Sequence, residues 1–199
     1  MVKLCFIDVE TTGLDPKLNG IVQIAGQIVF GQGAEYTVIE TFNFKVQPFP
    51  FDQINQKALE VNGLNGAVIF SFQEPKDVLP QFLAILNRHV DRKNYNDNFF
   101  FVGYNASFDD GFMREFFIKN SNHDYSKYFY RPALDVMQLA LFRLKDERAS
   151  MLNFKLTTVA ALLNFKPEGN FHDAMTDIIA TRQIFEFCVY GLDRINETK

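Results

Sequence analysis

A chain of 199 residues with 47% hydrophobic residues and 23 Phe has the length and apolar content for one domain with an aromatic core, and it excludes a disordered chain. The net charge of −4 does not point to a broad basic nucleic-acid surface, and it does not exclude a surface that works through bound cations. Only Cys5 and Cys188, no signal-peptide pattern and no membrane-length apolar run predict a cytoplasmic protein with buried thiols and no membrane partner.

The apolar run Leu4-Cys5-Phe6-Ile7 predicts a buried strand, and Asp8 and Glu10 at its end project to one face. Two adjacent carboxylates at an apolar strand end repel each other unless a cation neutralises them, and Mg²⁺ or Mn²⁺ suits such oxygen ligands. Solvated acids before a Thr-Thr-Gly turn would give the same pattern, so this stretch alone leaves both readings open. Gly20 to Phe30 predicts a second strand, turned by Gly31-Gln32-Gly33, and Glu35 to Val46 a third. Short connections make the three an antiparallel meander. Pro48 and Pro50 end the pattern.

Helical spacing begins at Ile54 and closes at Asn62-Gly63. Ser71 to Val90 predicts a longer helix, with Pro75 in its first turn and Val78, Phe82, Ile85 and Leu86 on one stripe. The polar stretch Asp91 to Asn98 is a loop. Phe99 to Val102, fully apolar between two helices, predicts a parallel strand. Ala106 to Ile118 is helical with Asn105 as N-cap. Ser121 to Arg131 shows no period and is expected as loop. Asp135 to Leu144 and Leu156 to Leu163 read as helices, separated by a polar stretch from Asp146 to Asn153. Lys166 to Asn170 reads as loop. Asp173 to Tyr190 is the last long helix, offering Ile178, Ile179, Ile184, Phe185 and Val189 to the core. Residues 1–192 are expected to form a single domain, followed by a short polar tail over 193–199.

Two further acidic groups stand out. Asp109 lies about one turn into the helix that follows the strand Phe99 to Val102, where the positive end of the dipole favours a carboxylate and where ligands bind in α/β sheets. Asp173 and Asp177 share a face of the last helix. His172 precedes them and titrates near 6.5 when unperturbed, which suits a general base. Singly, dipole compensation by Asp109 and capping by Asn105 and Asp173 account for these residues. His89, on the polar side of a helix, and His123, in a loop, lack a comparable acidic setting.

Asp8-x-Glu10, Asn105-x-x-Phe108-Asp109 and His172-x-x-x-x-Asp177 occur in that order on a strand, a helix start and a final helix. The pattern resembles the three motifs of the DEDDh 3′–5′ exonuclease family, the proofreading and RNase T-like nucleases, and extends from Lys3 to about Tyr190. Ile21 to Ala25, Val102 to Ala106, Asp135 to Ala140 and Lys155 to Val159 are weaker matches; Tyr104 stands where many members have His. The resemblance implies an α/β, ribonuclease H-like fold: a mixed five-stranded sheet of three antiparallel strands plus parallel strands, flanked by helices. It implies Asp8, Glu10, Asp109 and Asp177 as ligands of two divalent ions, Mg²⁺ or Mn²⁺, with Asp8 bridging both, and His172 as general base. Two ions about 3.5–4 Å apart clamp the attacking and leaving oxygens of a phosphodiester.

The resemblance further implies that Thr11, Thr12 and Gly13 lie along the terminal nucleotide, with Gly13 permitting close approach. Leu14 is a candidate wedge against the last base. Phe108 is a candidate stacking group whose packing role in the core is the simpler reading, and Asn62 and Asn105 are candidate polar contacts. The expected partners are 3′ ends of single-stranded DNA, with a polymerase served in trans by a free-standing exonuclease. An RNase T-like or oligoribonuclease-like RNA trimmer shares the same chemistry. A non-catalytic binding module on this fold should have lost one of the four carboxylates or His172, and all five are present. Dimeric relatives and the many Phe leave a homodimer open.

Overall fold

The computed structural model describes residues 1–32, 35–165 and 173–191. The lengthwise hydrophobic run near the N-terminus becomes the long strand β1 (Val2–Thr11). It pairs antiparallel with β2 (Ile21–Gln32), which pairs antiparallel with β3 (Glu35–Lys45). Beyond β1 lie β4 (Phe99–Gly103) and β5 (Phe129–Asp135), both parallel, so the order across the sheet is β3-β2-β1-β4-β5. This is the mixed five-stranded sheet that the resemblance implied.

Helices cover both faces. α1 (Gln56–Val61), α2 (Gly66–Ile69), α3 (Pro75–Asn87) and α4 (Ala106–Lys119) precede β5. α5 (Val136–Arg143), α6 (Leu156–Leu162) and α7 (Ala174–Tyr190) follow it. β1 is apolar without alternation because both its faces are covered. Cys5, Ile7 and Val9 enter one core with Phe82, Phe101, Phe112 and Phe117. Leu4 and Phe6 enter the other with Val136, Ile178, Ile184 and Phe185. By the two-residue strand period, Asp8 and Glu10 continue the second face, toward α7.

Several expectations change. β1 runs on through Asp8 and Glu10, because its ladder with β2 continues as Asp8 opposite Ala25 and Glu10 opposite Gln23, with a bulge only between Glu10 and Thr11. The acids therefore sit within the strand. The stretch expected as loop from Ser121 to Arg131 holds a 3₁₀ turn (Tyr125–Lys127) and the start of β5. β5 carries Pro132 at the sheet edge, where a missing amide donor breaks no ladder. α3 starts only at Pro75 and stops at Asn87, so His89 lies beyond it and bonds to Glu40 at 2.7 Å. Val189 is 45% exposed and is not core. Cys5 and Cys188 are both free. Gly33, the loop over 166–170, His172 and the tail lie outside the described residues. Among the described residues no helix is long and apolar enough to cross a membrane.

Candidate active site

β1 supplies two acids, and α7 supplies a third. Asp8, Glu10 and Asp177 each offer a carboxylate oxygen, and the three oxygens lie within 4.8 Å of one another. α7 is seated for this by its own cap and by two glutamines of β2. The Asp173 carboxylate accepts from the Met175 amide at 3.1 Å, which is the capping role the sequence allowed. Gln23 and Gln27 face α7: the Gln23 amide nitrogen lies 3.5 Å from Asp173, and Gln27 accepts from Arg182 at 2.9 Å.

Asp109 joins from α4. It is 3% exposed, and its Oδ1 accepts from the Val9 amide of β1 at 3.0 Å. That bond ties the first turn of α4 to the strand carrying the other two acids. Asn105 precedes the helix but makes no side-chain cap; its backbone is left-handed, with φ 63° and ψ 47°. Asn tolerates that region better than most residues, so Asn105 turns the chain here, which corrects the expected cap. Its amide donates to Asp135 Oδ1 at 3.0 Å, and the same oxygen accepts from Met137 at the start of α5. One carboxylate thus fixes two helix starts.

The electrostatics follow from three acids gathered at one point, with the Asp109 charge acting on Asp8 and Glu10. Burial, then the charges of Asp109, Asp177 and Glu10, push the Asp8 carboxyl well above its usual range. Burial and then the Asp177 and Asp109 charges raise Glu10 to about 8, while the Lys45 ammonium opposes the rise. Burial also raises Asp109, against the bond from Val9. Such a cluster is unfavourable without a cation, and its all-oxygen donor set fits a hard divalent ion. Asp8, Glu10 and Asp177 could hold one.

Of the expected substrate contacts, Leu14 is 84% exposed. Thr12 is fully buried: its amide donates to the Gly20 carbonyl at 2.8 Å, and its hydroxyl donates to Gln53 and accepts from Gly20. Thr11 is buried and its hydroxyl donates to the Gly13 carbonyl at 2.6 Å. A Cβ on Gly13 would stand 2.4 Å from the Asn19 side chain, so the glycine is required by that loop itself. Asn62 caps α1 and donates to the Thr11 carbonyl at 3.1 Å. Phe108 is half-buried, its ring 4.9 Å from that of Phe112, while Asn105 is exposed. His172 falls just before Asp173 and outside the described residues. The sequence reading missed Gln23, Asn43 and Lys45; a glutamine inside an otherwise apolar strand was the available signal for the first.

A family model described as Exonuclease, of the RNase T type, matches residues 5–185. The chain is 29% identical over 194 residues to the PolC-type DNA polymerase III of Thermotoga petrophila, covering 97% of this chain and 12% of that protein. It is 29% identical over 115 residues to ribonuclease T of Haemophilus ducreyi, covering 54% of this chain and 51% of that protein. The chain thus spans only a small part of the polymerase and about half of the ribonuclease. In fold it is similar to E. coli exonuclease I crystallised with a dT13 oligonucleotide. That match has TM-score 0.76 and 20% identity, covering 100% of this chain and 43% of that one.

Proposed function

The chain belongs to the RNase T family of 3′–5′ exonucleases, and on that premise we propose that it shortens single-stranded DNA from the 3′ end, releasing nucleoside 5′-monophosphates. The observation that carries this reading is the meeting of Asp8, Glu10 and Asp177 within 4.8 Å, with Asp109 anchored to the same strand. Asp8, Glu10, Asp109 and Asp177 would hold two divalent ions, Mg²⁺ or Mn²⁺. When bound, the ions neutralise phosphate charge and orient the attacking and leaving oxygens.

The remaining work falls to this chain's own groups. His172 takes the proton of the attacking water, whose oxygen bonds to phosphorus as the bond to the upstream 3′ oxygen breaks. Leu14 meets the terminal base, and its apolar contact tolerates any base, as does stacking on Phe108. Thr11, Thr12, Gly13 and Asn62 hold the loop that presents Leu14, and Asn105 lies at the rim. The protein works in the cytoplasm beside a polymerase; the similarity to a segment of the PolC-type polymerases supports DNA and this association.

A second reading, trimming of RNA 3′ ends, draws support from the similarity to ribonuclease T. The test is degradation of a 5′-labelled DNA strand and the matching RNA with Mg²⁺, Mn²⁺ or EDTA. A ladder shortening from the 3′ end and abolished by EDTA is expected, with DNA degraded faster. Faster loss of RNA would favour the second reading. No cleavage by folded protein in any metal would refute both.

A further inference from the structure

The row of side chains that starts at Glu10 continues across two more strands. Glu10 is paired with Gln23 on β2, and Gln23 is paired with Lys45 on β3. Paired residues share a face, so all three project toward α7. Lys45 Nζ donates to Gln23 Oε1 at 2.7 Å, and Gln23 Nε2 donates to Asn43 Oδ1 at 3.0 Å with Asp173 Oδ2 at 3.5 Å. Gln23 is 1% exposed, so its amide is fully oriented. Its oxygen must face the ammonium, because the opposite flip would aim donor at donor.

This orientation decides where the lysine head sits. A free lysine on an edge strand spreads over many rotamers in solvent. Here the stem is folded inward and the ammonium is held at Gln23, on the strand next to the one that carries Glu10, where its charge acts on Glu10. An ammonium has three donors, and Gln23 takes one. The nearby acids are not its lasting partners, since in the proposed enzyme they are occupied by divalent ions. A phosphate brought to the acid cluster would then offer Lys45 a partner.

We propose that Lys45, oriented by Gln23 and Asn43, contacts the phosphate that is scissile in the bound strand and becomes the 5′-phosphate of the released nucleotide. The proposal rests on the exonuclease reading and names a binding group for it. Lysine contributes there as a mobile point charge, able to follow the phosphate from diester to monoester. A lysine that only braced Gln23 would act through the fold and would leave no mark on phosphate affinity.

The experiment is steady-state hydrolysis of a 5′-labelled oligo(dT) in Mg²⁺, with thymidine 5′-monophosphate as inhibitor. It compares wild type, Lys45→Met, Lys45→Arg and Lys93→Met. Lys93 is exposed in the turn of residues 91–98, whose Asp97 pairs with Lys3 at the opposite end of β1. Lys45→Met should raise both KM and the inhibition constant about tenfold, with a smaller loss in kcat. Lys45→Arg should restore both to within about threefold, and Lys93→Met should behave as wild type. The salt dependence of KM should weaken by about 0.7 in log–log slope for Lys45→Met, as for one lost single-strand phosphate contact.

Two outcomes overturn the proposal while leaving the exonuclease reading intact. One is an unchanged inhibition constant in active Lys45→Met. The other is equal impairment of both Lys45 variants with a lowered Tm, which marks a brace. A folded wild type that hydrolyses nothing would overturn both together.

Discussion

Two buried charged clusters flank the Thr11–Asn19 segment, and they are built on opposite plans. In the first, Lys119 donates to Asp52 at 2.6 Å and to the Asn19 carbonyl at 2.7 Å, with side-chain exposures of 9% and 0% for Lys119 and Asp52. Asp52 also accepts from the Phe49 amide. Charge and hydrogen bonds are matched inside the protein, and the pair ties α4 to two loops. In the second, Asp8, Glu10 and Asp177 converge, Asp109 adds its charge to Asp8 and Glu10, and the Lys45 ammonium opposes on Glu10. The first cluster is a finished structural joint. Among the described residues the second gathers like charges, as the proposed cation site requires.

The largest effect should come from the deficient cluster. Asp8→Ala or Asp177→Ala should fold and lose about 10³-fold or more in hydrolysis, with Tm in EDTA equal to or above wild type because repulsion is relieved. A fall in Tm to match the lost activity would erase the contrast with the joint. Lys119→Met should do the reverse. Breaking a buried pair leaves Asp52 uncompensated and costs about 3–5 kcal/mol, or a Tm drop of about 10 °C. Activity per folded molecule, read below the transition, should survive. A Tm change under about 2 °C would show that the joint is not structural.

The pH dependence sharpens the same contrast. Glu10 in the fold titrates at about 8, and Asp8 and Asp109 are also raised. Across the window from the ordinary carboxylate range to about 8, the folded chain therefore binds more protons than the unfolded one. Its stability in EDTA must fall as pH rises through that window. Thermal melts should show this slope, saturating Mg²⁺ should flatten it, and Glu10→Gln should melt higher than wild type in EDTA near pH 8, by about 2–5 °C. The smallest effect on activity is expected at Gly13→Ala, where a methyl meets Asn19 at 2.4 Å. Displacing that side chain should cost about 1–3 kcal/mol, seen as a lower Tm with modest loss of activity.

The sequence made the deficient cluster more legible than the matched one. Asp8 and Glu10 interrupt an apolar strand, and Asp109 and Asp177 sit one turn into helices; each position carries a local anomaly. Asp52 and Lys119 look like ordinary surface residues in sequence, and only tertiary packing brings them together. β5 escaped because Pro132 and its exposed neighbours Tyr130 and Arg131 break any two-residue alternation. α2 is four residues long, too short for a period, though Asn65 accepting from Ala67 is an ordinary cap signal. Gln23 escaped because a strand covered on both faces hides its one-sided polar contacts. Asn105 resembled a cap by type, whereas its left-handed backbone is visible only in three dimensions.

The most direct measurement is a count of Mn²⁺ bound per chain, by electron paramagnetic resonance, with thymidine 5′-monophosphate present. The proposed site predicts two ions on wild type and loss of at least one in Asp177→Asn, whose fold is checked by its Tm. Binding that is absent from folded wild type, or undiminished in the variant, would contradict the assignment of these carboxylates as the metal centre.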